Sequence, residues 1–197
     1  MNIKISILFI LLLFITSGCG WLYTSHESGA DLSKADLYVE PFAFTTQDEE
    51  ETSTEQLQGQ VWIANMIFTR CPSVCTIMTP NMKNLQDALI EQDINARLIS
   101  FTVDPSFDIP DRLKSYGENV GADFSKWTFA TGYTDEDITS FAADSFLTLV
   151  QDIKDSNDMI HGTSFYLIDK DGKIVRKFDG LDPDIAPIVK QAKKLVK

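Results

Sequence analysis

The sequence predicts an α/β domain: a central mixed sheet flanked by helices, with an N-terminal strand or hairpin and a C-terminal β-hairpin and helix. Three observations carry that expectation. Gln60–Phe68 ("QVWIANMIF") and Ala96–Asp104 ("ARLISFTVD") are apolar on both faces, as strands buried in the middle of a sheet are. Between them Met78, Met82, Leu85, Leu89 and Ile90 recur at helical spacing. Near the C-terminus two strand-like runs flank Lys170-Asp171-Gly172, a hairpin signal. Strand–helix alternation implies parallel strands, and the hairpin adds antiparallel ones.

The 197 residues, 44% of them apolar, suit one domain with a real core plus a leader. The chain opens with "MNIKISILFILLLFITSGCGWLY": Lys4, an apolar stretch over Ile5–Ile15, small residues, then Cys19. This is a secretory-signal pattern. "TSGC" also resembles a bacterial lipobox, with Thr16 where leucine is usual, which makes Cys19 the lipidation site. The expected division is 1–18 signal peptide, 19–37 lipidated N-terminus and flexible tether, and 38–197 folded domain. The competing reading is an uncleaved anchor over Ile5–Ser25, a stretch free of charge and about the 20 residues that span a bilayer. Either way the domain sits on the extracytoplasmic face of the bacterial cell membrane, tethered there.

A first short strand is expected near Phe42–Thr45, and the acidic Gln47–Gly59 segment caps a hairpin or loop. After the first core strand a helix covers Thr76–Gln92, with Pro80 in its first turn or kinking it. Ile109–Gly121 is a helix opened by Pro110 and closed by glycine. Trp127–Tyr133 is a short strand, and Thr134 caps the next helix with Asp137 three residues on. The last helix, in "DPDIAPIVKQAKKLV", carries its basic residues late, as the helix dipole favours. This order is the plan of a thioredoxin-like fold with an insertion. Active cysteines of that fold sit where the first core strand gives way to a helix, the place of Cys71 and Cys75.

The net charge of −12 argues against a broad basic face, so no nucleic-acid partner is expected. With Cys19 lipidated, Cys71 and Cys75 are the remaining thiols. A bridge between them closes a tiny loop and constrains the unfolded chain little, so a structural staple is a poor explanation. A helix N-terminus favours thiolate over thiol. The spacing lets both sulfurs face one ion or close a disulfide, and does not choose. Histidine discriminates. His26 lies in the polar tether, whereas His161, in "DMIHGTSFYLID", immediately precedes a core strand and should reach the cysteine loop. Two thiolates and an imidazole suit copper or zinc. Structural zinc usually takes four ligands, so copper is favoured, with zinc open in vitro. Met66, Met78, Met82, Trp62 and Trp127 read as core.

"FTRCPSVCTIMTP" (Phe68–Pro80), "SFTVDPSFDIPDRLKSY" and "IHGTSFYLID" together resemble the Sco/SenC family, over roughly Tyr38 to the C-terminus. The resemblance implies a thioredoxin-like copper chaperone, a non-enzymatic protein that assembles the binuclear copper site of cytochrome c oxidase subunit II. It makes Cys71, Cys75 and His161 the ligands of Cu(I) or Cu(II). It also points to Asp104, which would orient His161 or influence the thiols from outside the ligand set, against the plainer reading of a turn residue before Pro105. Asp108 reads as a cap for the helix at Pro110. A second reading makes Cys71 and Cys75 a redox-active pair of a thiol–disulfide reductase. That protein would keep the oxidase's copper-ligand cysteines reduced, with a thiol–disulfide reductant as a further partner. A third, a peroxidase, rests on Thr69 and Arg70 beside Cys71, with Arg70 expected to be exposed.

Overall fold

Both strands expected in the centre of the sheet are there, paired to each other. The computed structural model describes residues 29–197 other than 155 and 157. In chain order its elements are β1 (Ala30–Asp31), β2 (Ala43–Thr46), β3 (Glu51–Ser53), β4 (Val61–Ile67), α1 (Cys75–Glu91), β5 (Ala96–Thr102), α2 (Pro110–Val120), β6 (Trp127–Thr131), α3 (Asp135–Phe146), β7 (Gln151–Asp152), β8 (Met159–Ile160), β9 (Ser164–Ile168), β10 (Ile174–Asp179) and α4 (Ala186–Leu195). The main sheet runs β1-β10-β9-β4-β5-β6-β2-β3. Strands β4, β5 and β6 are parallel, while β9, β10 and β2 join antiparallel. The sheet is therefore mixed, as its apolar pattern and hairpin signal predict.

Every residue of β4 is buried, which explains its unbroken apolar run. Trp62, Trp127, Met66, Met78 and Met82 are all core. Helix α1 packs against α2 and α4, and α3 sets Phe141 and Phe146 around Phe101 of β5. Local signals held at the helix ends. Thr134 and Asp137 form a reciprocal capping box at the start of α3. Pro110 opens α2, and Gly121 closes it with φ 73°, a left-handed turn that favours glycine. Pro80 sits inside α1, beyond its first turn.

Two features escaped the sequence. The expected tether through residue 37 is part of the fold from residue 30: β1 pairs with β10, the Leu32 N–H donates to the Val175 carbonyl at 3.0 Å, and Leu32 and Leu37 pack on the core. The domain thus begins before Tyr38, because an edge strand of two residues leaves no apolar alternation to read. The other is a small second sheet, β7 with β8, on the approach to His161. The signal peptide, the lipidation site Cys19 and His26 lie outside the described residues. No described helix is long and apolar enough to cross a membrane.

Candidate metal centre

The site forms where β4 ends. Phe68, fully buried, seals the strand end, and the chain turns through residues 69–74 before entering α1 at Cys75. The Cys71 N–H donates to the Phe68 carbonyl at 3.2 Å, which folds the loop back over the strand. The Cys75 N–H, at the helix start, points at Cys71 Sγ across 3.5 Å. Both cysteines are buried and unbonded.

His161 arrives from the other side, directly after β8. Its Nδ1 lies 3.0 Å from the Gly162 carbonyl. A carbonyl only accepts, so Nδ1 carries the proton and Nε2 presents its lone pair. That Nε2 lies 3.9 Å from Cys75 Sγ. The Phe68 ring meets the imidazole edge-on at 5.5 Å and so supports both arms of the site. The ligand atoms of Cys71, Cys75 and His161 all fall within 4.8 Å of one another. The topology thus brings together the three residues singled out from the sequence, across 86 residues of chain.

The electrostatics corrects one expectation. A helix N-terminus favours thiolate, yet burial pushes the Cys75 thiol strongly upward, only partly opposed by its hydrogen bond with the Phe68 backbone. Desolvation wins because the sulfur is almost entirely enclosed. Burial likewise holds His161 below the usual imidazole value, against the opposing pull of the Gly162 carbonyl and the Asp158 charge. At rest the site therefore holds a protonated Cys75 thiol beside a neutral imidazole. A metal entering it must displace the Cys75 proton. Soft sulfur and borderline nitrogen, with no carboxylate in the cluster, fit copper best among the common ions. Three donors leave one side of the ion open.

Around the cysteine loop stand two aspartates. Asp104 accepts from Arg70 Nε at 2.6 Å, and the Arg70 guanidinium also lies 4.5 Å from the centre of the Phe107 ring. The carboxylate that the sequence offered as an orienter of His161 is engaged with the residue before Cys71, and Arg70 is exposed, as expected, with its guanidinium held between Asp104 and the Phe107 ring. Asp108 departs further from its expected role. It is no helix cap: Ile109 holds that position, without a side-chain cap bond. It is fully buried and accepts from the Thr69 N–H at 3.0 Å, the Thr69 hydroxyl at 2.5 Å and the Thr102 hydroxyl at 2.5 Å. Burial raises its carboxyl above the usual range, opposed by those same bonds. A carboxylate just before a helix-opening proline looks the same in sequence whether it caps that helix or turns inward.

The SCO1/SenC family model matches residues 30–197. The SCO1 protein homolog of Bacillus subtilis is 38% identical over 186 residues, covering 92% of this chain and 96% of that protein. Among solved structures, a SCO1/SenC family lipoprotein from Bacillus anthracis superposes with a TM-score of 0.79 at 40% identity, over 83% of this chain and 97% of its own. BsSco, a member of the Sco family of cytochrome c oxidase assembly proteins in which a disulfide switch is identified, gives 0.76 at 37% identity, over 85% and 96%.

Proposed function

Because the chain belongs to the SCO1/SenC family, we propose that it is a membrane-tethered, extracytoplasmic copper chaperone that assembles the binuclear copper site of cytochrome c oxidase subunit II. One observation carries the reading: two buried thiols and a deprotonated imidazole nitrogen converge within 4.8 Å. Copper is cargo here, held by Cys71, Cys75 and His161. The open side of a three-donor site lets an acceptor thiolate join before a donor leaves, so the ion need never be free. The lipobox-like segment before Cys19 supports the tether, and the similarity to a Bacillus anthracis lipoprotein supports it further.

A second reading has its own observation. The two sulfurs are close, unbonded and joined by a short loop, the arrangement of a dithiol that can reduce a target disulfide. One thiolate attacks the target disulfide, and the other resolves the mixed disulfide as the target's second thiolate leaves. The kinship with BsSco and its disulfide switch favours this as an accompanying role.

The test is a copper titration of the reduced full-length protein in detergent against a competing chelator, beside Cys75→Ser and His161→Ala. Tight one-to-one binding weakened in both variants supports the chaperone. Weak binding indifferent to His161 moves the assignment to the reductase.

A further inference from the structure

Residues 104–108 form a closed turn: the Phe107 and Asp108 N–H groups both donate to the Asp104 carbonyl, at 3.0 and 2.8 Å. From this turn three side chains reach the two residues before Cys71. Asp104 and Phe107 hold Arg70. Asp108 holds Thr69 through both its backbone N–H and its hydroxyl. Asp108 is itself fixed to β5 by the Thr102 hydroxyl, which also accepts from the Asp104 N–H at 3.1 Å. A fully buried carboxylate with three donors is a costly thing to place in a core. The strand pairing of the sheet does not use it, and α2 starts at Ile109–Pro110.

We propose that Asp108 is a positioning residue for the metal and redox chemistry of Cys71 and Cys75, acting through Thr69 to clasp the cysteine loop in its open, dithiol geometry. The inference rests on the chaperone reading for its metal arm only. Cys75 is fixed in the first turn of α1, so closing a disulfide requires Cys71 to move toward it. A disulfide needs about 2.05 Å between sulfurs. The clasp holds the chain two residues before Cys71 and resists that movement. It therefore favours the dithiol over the disulfide and keeps Cys71 Sγ at ligand distance from Cys75 and His161. Hydrogen bonds accepted by a carboxylate are among the stronger ones available to a protein.

Thr69→Val is the decisive variant, because it removes one hydroxyl while keeping shape, the Thr69 N–H bond and the Asp108 charge. Thr69→Ser restores the hydroxyl, and Asp111→Asn, on the exposed first turn of α2, is the control. The full-length protein in detergent is equilibrated with reduced and oxidised glutathione. In this exchange the two protein thiols give two electrons and two protons to one oxidised glutathione, leaving the Cys71–Cys75 disulfide and two reduced glutathiones. Thr69→Val is expected to shift this equilibrium about tenfold toward the protein disulfide, about 30 mV, with Thr69→Ser and Asp111→Asn at the wild-type value. Copper affinity is expected to fall about 10–100-fold in Thr69→Val and in Asp108→Asn. Folded Thr69→Val at wild-type values in both measurements overturns the clasp. So does a shift that Thr69→Ser fails to reverse. The glutathione arm needs no metal. A wild-type protein that binds no copper, with the redox shift present, removes the chaperone reading and leaves the clasp standing. Copper binding equal in wild type and variants, with no redox shift, does the reverse.

Discussion

The two arms of the site are built differently. The cysteine arm leaves a fully buried strand, is held by the Asp104–Asp108 turn and ends in the first turn of a 17-residue helix. The histidine arm descends from α3 through Leu147, held at φ 50°, and through β7 and β8, paired over two residues each. Two of its apolar side chains face water, Leu147 at 75% exposed and Leu149 at 61%, while Val150 is buried and Met159 packs on the core. One arm spends many buried contacts on holding two sulfurs, and the other carries a single imidazole on a lightly packed strap. Few buried contacts and short ladders mark the part of a fold that opens most easily. If Cys71, Cys75 and His161 hold copper as proposed, the cysteine arm defines the metal position and His161 is the ligand most easily withdrawn.

The largest effects should come from breaking the rigid arm. Cys75→Ser should cost copper affinity more than the roughly 100-fold ceiling that applies to groups outside the ligand set, read by chelator competition. Phe68→Ala removes the ring beneath both arms. It should lower unfolding free energy by about 3–5 kcal/mol, read by chemical denaturation, and weaken copper binding with it. A loss confined to stability, with binding intact, would show that Phe68 does not join the arms.

The next effect sharpens the contrast by touching only the strap. A side chain at Gly162 would meet Thr148 Cγ2 at 2.8 Å, and the Thr148 hydroxyl is bonded to the Tyr166 hydroxyl at 2.6 Å. Gly162→Ala should displace His161 and reduce copper affinity about tenfold, near the lower end for misplaced partners. The glutathione equilibrium of the cysteines should stay at its wild-type value. If both change together, the two arms move as one.

A pH series probes the same strap. Burial lowers the His161 value in the folded state, so the unfolded chain binds this proton more readily. Stability from this group is therefore full above its unfolded value of about 6.5 and is lost as pH falls below it toward the lowered folded value. His161→Gln should flatten that part of the stability–pH curve, measured by denaturant unfolding. An unchanged slope would show that the ring titrates as freely as in water. The smallest effect belongs to the exposed strap residues: Leu149→Ser should change stability by no more than about 0.5 kcal/mol, in thermal melts.

What could be read from the sequence divides along the same line. β4 and β5, the α3 capping box and the turn at Lys170-Asp171-Gly172 are local patterns, and each appears where its residues predict. The strand-to-helix position of Cys71 and Cys75, with His161 ahead of a core strand, was legible because topology converts sequence order into proximity. Features created only by packing were not legible. Asp108 has the local signature of a cap, and only the fold turns it inward toward Thr69. The raised Cys75 thiol follows from enclosure by distant elements, which outweighs the helix end that the sequence does show. Strands of two residues, β1, β7 and β8, are too short to display any period.

The short strand β1 has a consequence for reach. It runs antiparallel to β10, with Ala30 opposite Lys177, and the position of a Gly29 side chain would fall 2.5 Å from the Phe178 ring. Phe178 is paired with Phe165, four residues past His161, so the chain enters the domain at the end of the sheet that carries Cys71, Cys75 and His161. A lipid at Cys19 would lie ten residues before Gly29, no further than about 35 Å along a fully extended chain. Held by that end through the proposed lipid, the protein would work like a crane whose hook hangs beside its own footing. Cargo would then be handed only to acceptors that present their site within a thin layer above the lipid, and residues inserted before Gly29 would thicken that layer without altering the grip.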